Sequence, residues 1–398
     1  MKDRQYDTDV TVVGGGPAGL MASLRLSSLG LSNVVLERSE VIGEPVHTSG
    51  GSWIKDLKDL GIPEKFYNPI KSAIFMSNNS RAEFKLEKAT ACVILIRDLL
   101  KYLAVRSVEK GSNVIIGAPV FSMRNEGKMI LTKYHRLGEE ITLKSKYGID
   151  ASGFSRVSLR TEENHPLPGY IGYGAQYEAW VENLDRNSIY LMVGSNYSKD
   201  GYTWVFPTDD HVARIGTGFI GIETSRNPQK LLDNLVHDNA FFKKEFGKII
   251  PIERHTGIVP ANGIAGTSVL GRILLTGDSS GLATPHIGEG IRFAMKYGKL
   301  AAETISKAIA SGSNSEIEGI LIEYDKIVQK ELGQDFKIAY KIQRTLADLS
   351  DIEWDKAVSS LQSLSNDEFI AFLRGDFSKK YILSLLLKHP SLIRGLVM

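Results

Sequence analysis

The stretch whose reading decides the fold is DVTVVGGGPAGL, residues 9–20. Asp9 to Val13 reads as a buried strand, an apolar run that stops at a glycine-rich turn. Pro17 to Leu29 follows with apolar residues at helical spacing, and proline suits a helix's first turn, where its missing N–H would have no partner anyway. Gly30 stops that helix, and Asn33 to Leu36 makes a second apolar strand. The result is a βαβ unit with Gly14-x-Gly16-x-x-Gly19 at its strand-to-helix turn and Glu37 closing the second strand, 18 residues after Gly19. In a dinucleotide fold the first glycine allows the tight turn, the second lets backbone approach a pyrophosphate, and the third lets helix and strand pack closely. Phosphates then lie at the positive end of the helix that begins at Pro17. Gly14, Gly16, Ala18 and Gly19 are the expected contacts there, with Glu37 accepting from a ribose hydroxyl and Arg38 beside it.

The spacing alone is weak, because Gly216-Thr-Gly218-Phe-Ile-Gly221 matches it too. The residues after Gly221, Ile-Glu-Thr-Ser-Arg-Asn-Pro, open no helix, so these glycines read as sheet or turn positions.

Composition bounds the rest. With 398 residues, 42% hydrophobic and 24% charged, the chain is an ordinary folded protein, long enough for two lobes. A net charge of +2 without a long basic run speaks against nucleic acid as a partner. The single cysteine, Cys92, excludes an intramolecular disulfide, a CxxC pair and a Cys-based zinc site; no metal is expected. No stretch approaches the roughly 18–20 apolar residues of a membrane-spanning helix. The charged N-terminus runs straight into a strand with no visible cleavable signal, which suggests a cytoplasmic protein. Contact at a membrane surface stays open.

Farther along, Arg97 to Lys110 looks helical and leads through Gly111 into the strand Asn113 to Ile116. From about Gly169 to Gly221 the pattern changes to short, alternating, aromatic-rich strands, including Tyr170-Ile-Gly-Tyr, which reads as an antiparallel sheet inserted as a second lobe. Residues 228 to 250 look helical, Arg272 to Thr276 form another apolar strand, and helices dominate from Ile291 to about Leu386.

Whether the first unit holds NAD or FAD is decided by a distant motif. Ile273-Leu-Leu-Thr-Gly277-Asp278 is a strand ending in Gly-Asp, followed by Thr284-Pro-His-Ile-Gly288-Glu289-Gly290-Ile291 and a helix. An aspartate at a strand end can bind a ribityl hydroxyl, while the helix aims its N-terminal amides at the O2 edge of an isoalloxazine and stabilises the reduced flavin. A further motif, Asp150-Ala-Ser-Gly153-Phe-Ser-Arg156, sits at another strand end.

On these motifs the chain resembles FAD-dependent oxidoreductases of the p-hydroxybenzoate hydroxylase-like fold and, more narrowly, the geranylgeranyl reductase family. GGGPAG with Glu37, the helix start at Arg97, GYTWVFP at 201–207 and GDSSGLATPHIGEGI at 277–291 carry the resemblance. It implies an α/β fold with a Rossmann-like FAD-binding domain (1–165 and 255–310), an inserted antiparallel-sheet substrate lobe (166–254) and a helical C-terminal region (311–398). Arg97 would contact the FAD diphosphate region, and Gly277, Asp278, Gly288, Glu289, Gly290 and Ile291 would hold the ribityl chain and flavin. Tyr202, Trp204, Phe206 and Pro207 match the family's YxWxFP signature in the substrate lobe. By alternation alone, Tyr202 and Trp204 share one face of a strand and could equally be core. Arg97 could be a solvated first-turn arginine, and Asp278 a helix cap.

The chain also departs from the family. Its loop reads Pro45-Val-His47-Thr48-Ser49-Gly50-Gly51 where the family commonly reads PVRCGEG, so Thr48 stands at the cysteine position. His47 either replaces the family arginine or is a plain loop histidine, and Cys92, in an apolar strand, reads as a buried structural thiol. His286 is a candidate proton donor or, equally, a group hydrogen-bonded to backbone. His47, Thr48 and His286 are thus the candidate catalytic residues.

The resemblance implies reduction of isoprenoid double bonds in geranylgeranyl lipids by hydride from reduced FAD. With one convincing dinucleotide fold, electrons are expected from transiently docked NAD(P)H or a ferredoxin-like carrier. The apolar segments Tyr381 to Lys388 and Ser391 to Met398 could rest on a lipid surface or pack on the body. Rival readings are an aromatic hydroxylase or halogenase of the same fold, a quinone-linked dehydrogenase, and a non-enzymatic FAD-binding protein. No WxWxIP halogenase segment occurs in the chain.

Overall fold

A computed structural model describes residues 7–161, 171–221 and 227–388. Tyr170, the 165/166 boundary, the residues just after Gly221 and the Ser391 to Met398 segment lie outside the described residues.

The opening unit forms as expected: strand β1 (Thr8–Val13), helix α1 (Pro17–Ser28) and strand β2 (Asn33–Leu36). β1 lies at the centre of a parallel sheet, paired with β2 on one side and with Glu139–Asp150 on the other. Asn113–Ile115 extends the sheet beyond β2, and Ile273–Leu275 extends it beyond Glu139–Asp150, also in parallel. Parallel strands need both faces covered, which is why β1 reads as a continuous apolar run. α1 and the helix Ile291–Ala310 cover this sheet, with Val10, Val12, Ala18, Ala22, Tyr297 and Ala301 in one core cluster. Tyr324, from the long helix Asn314–Ala347, ties that layer to the sheet through its hydroxyl, which donates to the Leu275 carbonyl at 2.8 Å.

The second lobe is a seven-stranded sheet whose order is Ile249–Pro260, Ile171–Val181, Val212–Gly221, Ser198–Pro207, Ser188–Gly194, Ser72–Met76 and Arg81–Lys85. It is wider than the 166–254 stretch in which it was expected. Two strands arrive from residues 72–85, and Ser72–Met76 pairs in parallel with Ser188–Gly194. The last strand runs through the 254/255 boundary to Pro260. Pairing over more than a hundred residues of sequence leaves no local trace. The helices expected over 228–250 end earlier, as Pro228–Asp238 and Ala240–Phe246, each capped by an asparagine side chain, Asn227 and Asn239. Gly247 then turns the chain at φ +64°, and Ile249 begins a strand.

A three-stranded sheet, Gly51–Trp53, Ala91–Ile94 and Tyr67–Ile70, joins the lobes and contains Cys92. The C-terminal helices Asp351–Leu361 and Asn366–Arg374 start at capping boxes, Ser350 with Glu353 and Ser365 with Glu368. They pack on the substrate sheet: Phe84 and Phe369 stack with ring centroids 3.7 Å apart, and Trp354 and Leu373 join the same cluster.

Candidate active site

The three glycines of the first turn differ in their surroundings. Gly14 has φ +106°, and a Cβ there would lie 2.3 Å from the Ala151 carbonyl oxygen; a Cβ on Gly19 would lie 1.9 Å from that of Gly14. Gly16, by contrast, faces nothing within 4 Å. It is the N-cap of α1 and makes no side-chain cap, so the helix's first N–H groups are available to an anion. Glu37 closes the turn: its carboxylate accepts from the Gly15 N–H at 2.5 Å and the Ser39 N–H at 2.8 Å. Arg38 is exposed and lines no cavity wall.

From Gly16 a cavity runs past Ala18, Asp278 and Gly290 to the substrate sheet at Gln176, Gly218 and His255. Burial pushes the Asp278 carboxyl up to about 6, against the pull of nearby Arg156. Arg156 is itself buried, sits at φ 45°, and leaves its Nε without a partner. Its strand-end neighbour Asp150 is fully buried and accepts from the Ser152 N–H and hydroxyl at 3.0 and 2.6 Å and from the Ser158 N–H at 2.8 Å. An open glycine at a helix N-terminus, an orphaned guanidinium nitrogen and a carboxyl at a strand end fit a dinucleotide that carries phosphates at one end and a hydroxylated chain toward the other.

Arg97 is placed differently from expectation. Its guanidinium meets Glu253, Glu178 at 3.4 Å and Glu44 at 3.5 Å, and it is not among the groups lining the cofactor cavity. Charge explains this. Glu178 and Glu253 come from adjacent strands and need cations, which Arg97 and the buried Arg214 supply; Arg214 bonds Glu178 at 3.3 Å and the carbonyls of Ser49 and Ile94 at 3.1 and 2.9 Å.

A second cavity, predominantly apolar, adjoins the first. It encloses about 1580 Å³ of empty space, part of it open to solvent, and Trp53, Phe75, Phe84, Trp354, Phe369 and Leu373 wall it. The partition between the two consists of Thr48 and Ser49, Gly201 and Tyr202, Ile220, and Ile287 to Ile291 apart from Glu289. Tyr202 and Trp204 do share a face, with ring centroids 5.5 Å apart. The Tyr202 hydroxyl donates to the Ile287 carbonyl at 2.6 Å, tying the substrate strand to the flavin-side loop. Trp204 lines the cofactor cavity and Phe206 the apolar one; Pro207 lines neither, and its carbonyl accepts from Asn68 at 3.0 Å. Gly277, Gly288, Gly290 and Ile291 all line the cofactor cavity.

The three candidate catalytic residues separate. Thr48 sits in the partition and its carbonyl accepts from Gln176 at 3.1 Å. His47 is exposed, with Nδ1 3.0 Å from the Thr256 carbonyl, and edges the cofactor cavity. His286 is buried in the apolar cavity's wall; Nε2 donates to the Phe372 carbonyl at 2.9 Å and Nδ1 has no partner. Burial lowers its pKa to about 4, so at neutral pH its one N–H is already committed, and of the two alternatives the structure has the histidine bonded to backbone. Glu289 is also corrected: it lines the apolar cavity and is absent from the cofactor cavity's walls, because Arg292 on the next helical turn holds its Oε2 at 2.8 Å. Cys92 is buried, as expected, and its thiol is pushed well up by burial and nearby carboxylates.

Arg156 was legible only as part of a motif, and the apolar walls escaped sequence reading because their residues come from many separate segments between Thr48 and Leu373. Their one signal is tryptophan: three of the four in the chain, Trp53, Trp204 and Trp354, line a cavity. Among the described residues no helix is long and apolar enough to cross a membrane, and no group of three His, Cys, Asp or Glu could hold a metal.

Comparison with known proteins agrees with this geometry. Residues 9–165 match the FAD dependent oxidoreductase family and residues 171–259 the geranylgeranyl reductase catalytic domain. Digeranylgeranylglycerophospholipid reductase of Methanocaldococcus jannaschii is 29% identical over 97% of this chain and 96% of its own. Reductase 1 of that name from Methanococcoides burtonii is 30% identical over 92% of this chain and 89% of its own. Among solved structures, a geranylgeranyl bacteriochlorophyll reductase-like protein of Thermoplasma acidophilum shares the fold at a TM-score of 0.85 and 24% identity, covering 97% of this chain and 98% of the other. The flavin-dependent brominase Bmp2 shares it at 0.70 and 19%, covering 92% and 93%. With the dinucleotide turn, the cavity it opens into and these relatives together, the chain belongs to the geranylgeranyl reductase family of FAD-dependent oxidoreductases.

Proposed function

We propose that the protein saturates isoprenoid double bonds in geranylgeranyl lipids. The observation that carries this reading is the apolar cavity's position and lining: it shares a thin wall with the cofactor cavity and is walled by Trp53, Phe84, Phe369 and Leu373. When bound, reduced FAD supplies a hydride from N5. Gly14, Gly16, Ala18 and Gly19 hold its phosphates, and Asp278 with Arg156 its hydroxylated chain. Trp53, Phe84, Phe369 and Leu373 bind the hydrocarbon and exclude water, and Tyr202 fixes the loop at Ile287 so that one double bond meets the partition. Arg97, set among carboxylates, positions the Glu44 to Ser49 loop. NAD(P)H or a ferredoxin-like carrier supplies electrons. A lipid surface presents the substrate, met by the C-terminal helix Lys379–Lys388, where Leu383 and Leu387 are exposed one turn apart.

The test is anaerobic reduction of the flavin with dithionite followed by geranylgeranyl phospholipid. Reoxidation of the flavin, with two hydrogens added per double bond by mass spectrometry, is expected. Reoxidation by no polyprenyl compound, or oxygen uptake triggered by an aromatic substrate, overturns the reading.

A further inference from the structure

The hydride reading leaves a proton to be found. Alkene reduction breaks one π bond and forms two C–H bonds: the hydride supplies one hydrogen with its electron pair, and an acid must supply the other. His286 is excluded by its committed N–H.

Two carboxyls line the apolar cavity, Asp200 and Glu289, and of the two Glu289 is the buried one. Its side chain is only 7% exposed and lines the apolar cavity, between Gly288 and Gly290 of the partition. One oxygen, Oε2, accepts from Arg292; the other, Oε1, is buried with no hydrogen-bond partner among the described residues. A buried carboxylate with an orphaned oxygen is costly, and a proton on that oxygen removes the cost.

The surrounding charges favour the same placement. Arg292, on the same helix as the partition, is shared with Asp56 of the helix Ile54–Asp59 at 3.5 Å. Arg374, from Asn366–Arg374, bonds Asp56 at 2.6 Å and Asp376 at 2.8 Å. Two guanidinium groups thus serve three carboxyls, and both reach Asp56. Asp56 is accordingly held below the usual carboxylate range by Arg374 and Arg292 against its burial, whereas burial raises Glu289 above it despite Arg292. Of the other titratable groups on the cavity's walls, Cys92 and His286 are uncharged at neutral pH, the Tyr202 hydroxyl is held by the Ile287 carbonyl, and Asp200 is half-buried beside Gly201. If one carboxyl of this cluster stores a proton, it is Glu289.

We propose that the Glu289 carboxylic acid is the proton donor for alkene reduction, a role that rests on the hydride reading above. In balance, the O–H bond of Glu289 breaks and its proton forms a C–H bond at the less substituted alkene carbon. The hydride forms the other C–H bond at the branched carbon, which better bears the developing positive charge. The flavin is left oxidised, and solvent returns a proton to the Glu289 carboxylate through the cluster with Asp56 and Arg292.

The test compares wild type, Glu289→Gln and Glu289→Asp after anaerobic flavin reduction, with a geranylgeranyl phospholipid in D2O. E289Q should bind flavin and a fluorescent long-chain probe as wild type does, yet reoxidise about 10²- to 10⁴-fold more slowly, the span of a lost general acid. E289D should recover part of the rate. Deuterium should enter one face of the product in wild type and both faces in the residual E289Q product. Infrared titration of the flavin-free protein reads the acid without turnover. Wild type should keep protonated-carboxyl absorption at a pH where exposed carboxyls have ionised; Asp278 contributes to it, and the Glu289 share should be lost in E289Q and shifted in E289D. E289Q within about 3-fold of wild type overturns the proposal while leaving the reductase reading intact. So does protonated-carboxyl absorption that E289D leaves unshifted, even should E289Q fail to fold. A wild type that no polyprenyl lipid reoxidises overturns both.

Discussion

Two stretches of this chain obey the same GxGxxG spacing and share almost nothing else. Residues 14–19 lie at a turn between β1 and α1; residues 216–221 lie inside the strand Val212–Gly221, as the sequence context suggests. At the first, two glycines are squeezed by backbone and the middle one faces open space. At the second, the group that squeezes Gly216 is a side chain, since a Cβ there would lie 2.3 Å from the Trp204 ring, while a Cβ on Gly218 would lie 3.0 Å from the Tyr173 carbonyl oxygen. A glycine spacing therefore says that something comes close, and only the neighbours say whether that is chain, ring or ligand.

Substitutions can break the comparison. Gly19→Ala should have the largest effect, because its Cβ would sit 1.9 Å from the Gly14 carbonyl, and backbone cannot step aside cheaply. We expect a loss of about 3 kcal/mol or more in urea unfolding, or no folded protein. Gly16→Ala should come next and act differently. With nothing within 4 Å, the flavin-free protein should unfold at the same urea concentration as wild type, yet the purified protein should be colourless. A yellow Gly16→Ala protein would mean that the phosphates do not approach this glycine. Gly216→Ala must move Trp204, which lines the cofactor cavity, so a loss of about 1–3 kcal/mol is expected together with weaker flavin retention on dialysis. Gly218→Ala should be mildest, within about 1 kcal/mol, and should stay yellow. Equal flavin loss in the two downstream variants would erase the distinction drawn between ring and backbone.

How much was legible follows from how local each feature is. The βαβ unit, the strand Ile273–Leu275 just before Asp278 and the helix from Ile291 all carry their signals within a dozen residues, and each forms close to its expected limits. The substrate sheet was legible only where consecutive strands pair. Ser72–Met76 and Arg81–Lys85 alternate as strands should, but their partner Ser188–Gly194 lies over a hundred residues away. In the site, the glycine turn and Tyr202 were legible. The roles of Arg97, His286 and Glu289 were not, because each depends on a partner from elsewhere in the chain: Glu178 and Glu253, the Phe372 carbonyl, and the Asp56 cluster reached through Arg292.

By itself the sequence determined that a dinucleotide turn opens the chain and that an acidic strand end lies far downstream of it. Backbone geometry and helix dipoles act over a few residues, so glycine, proline and apolar spacing suffice to specify them. Only the tertiary structure decided that helices from the C-terminal quarter wall an apolar cavity beside the cofactor, and that Glu289 faces that cavity. Burial and charge pairing are sums over everything that surrounds a side chain, and those surroundings exist only once Asp56, Arg292 and Arg374 have been brought together.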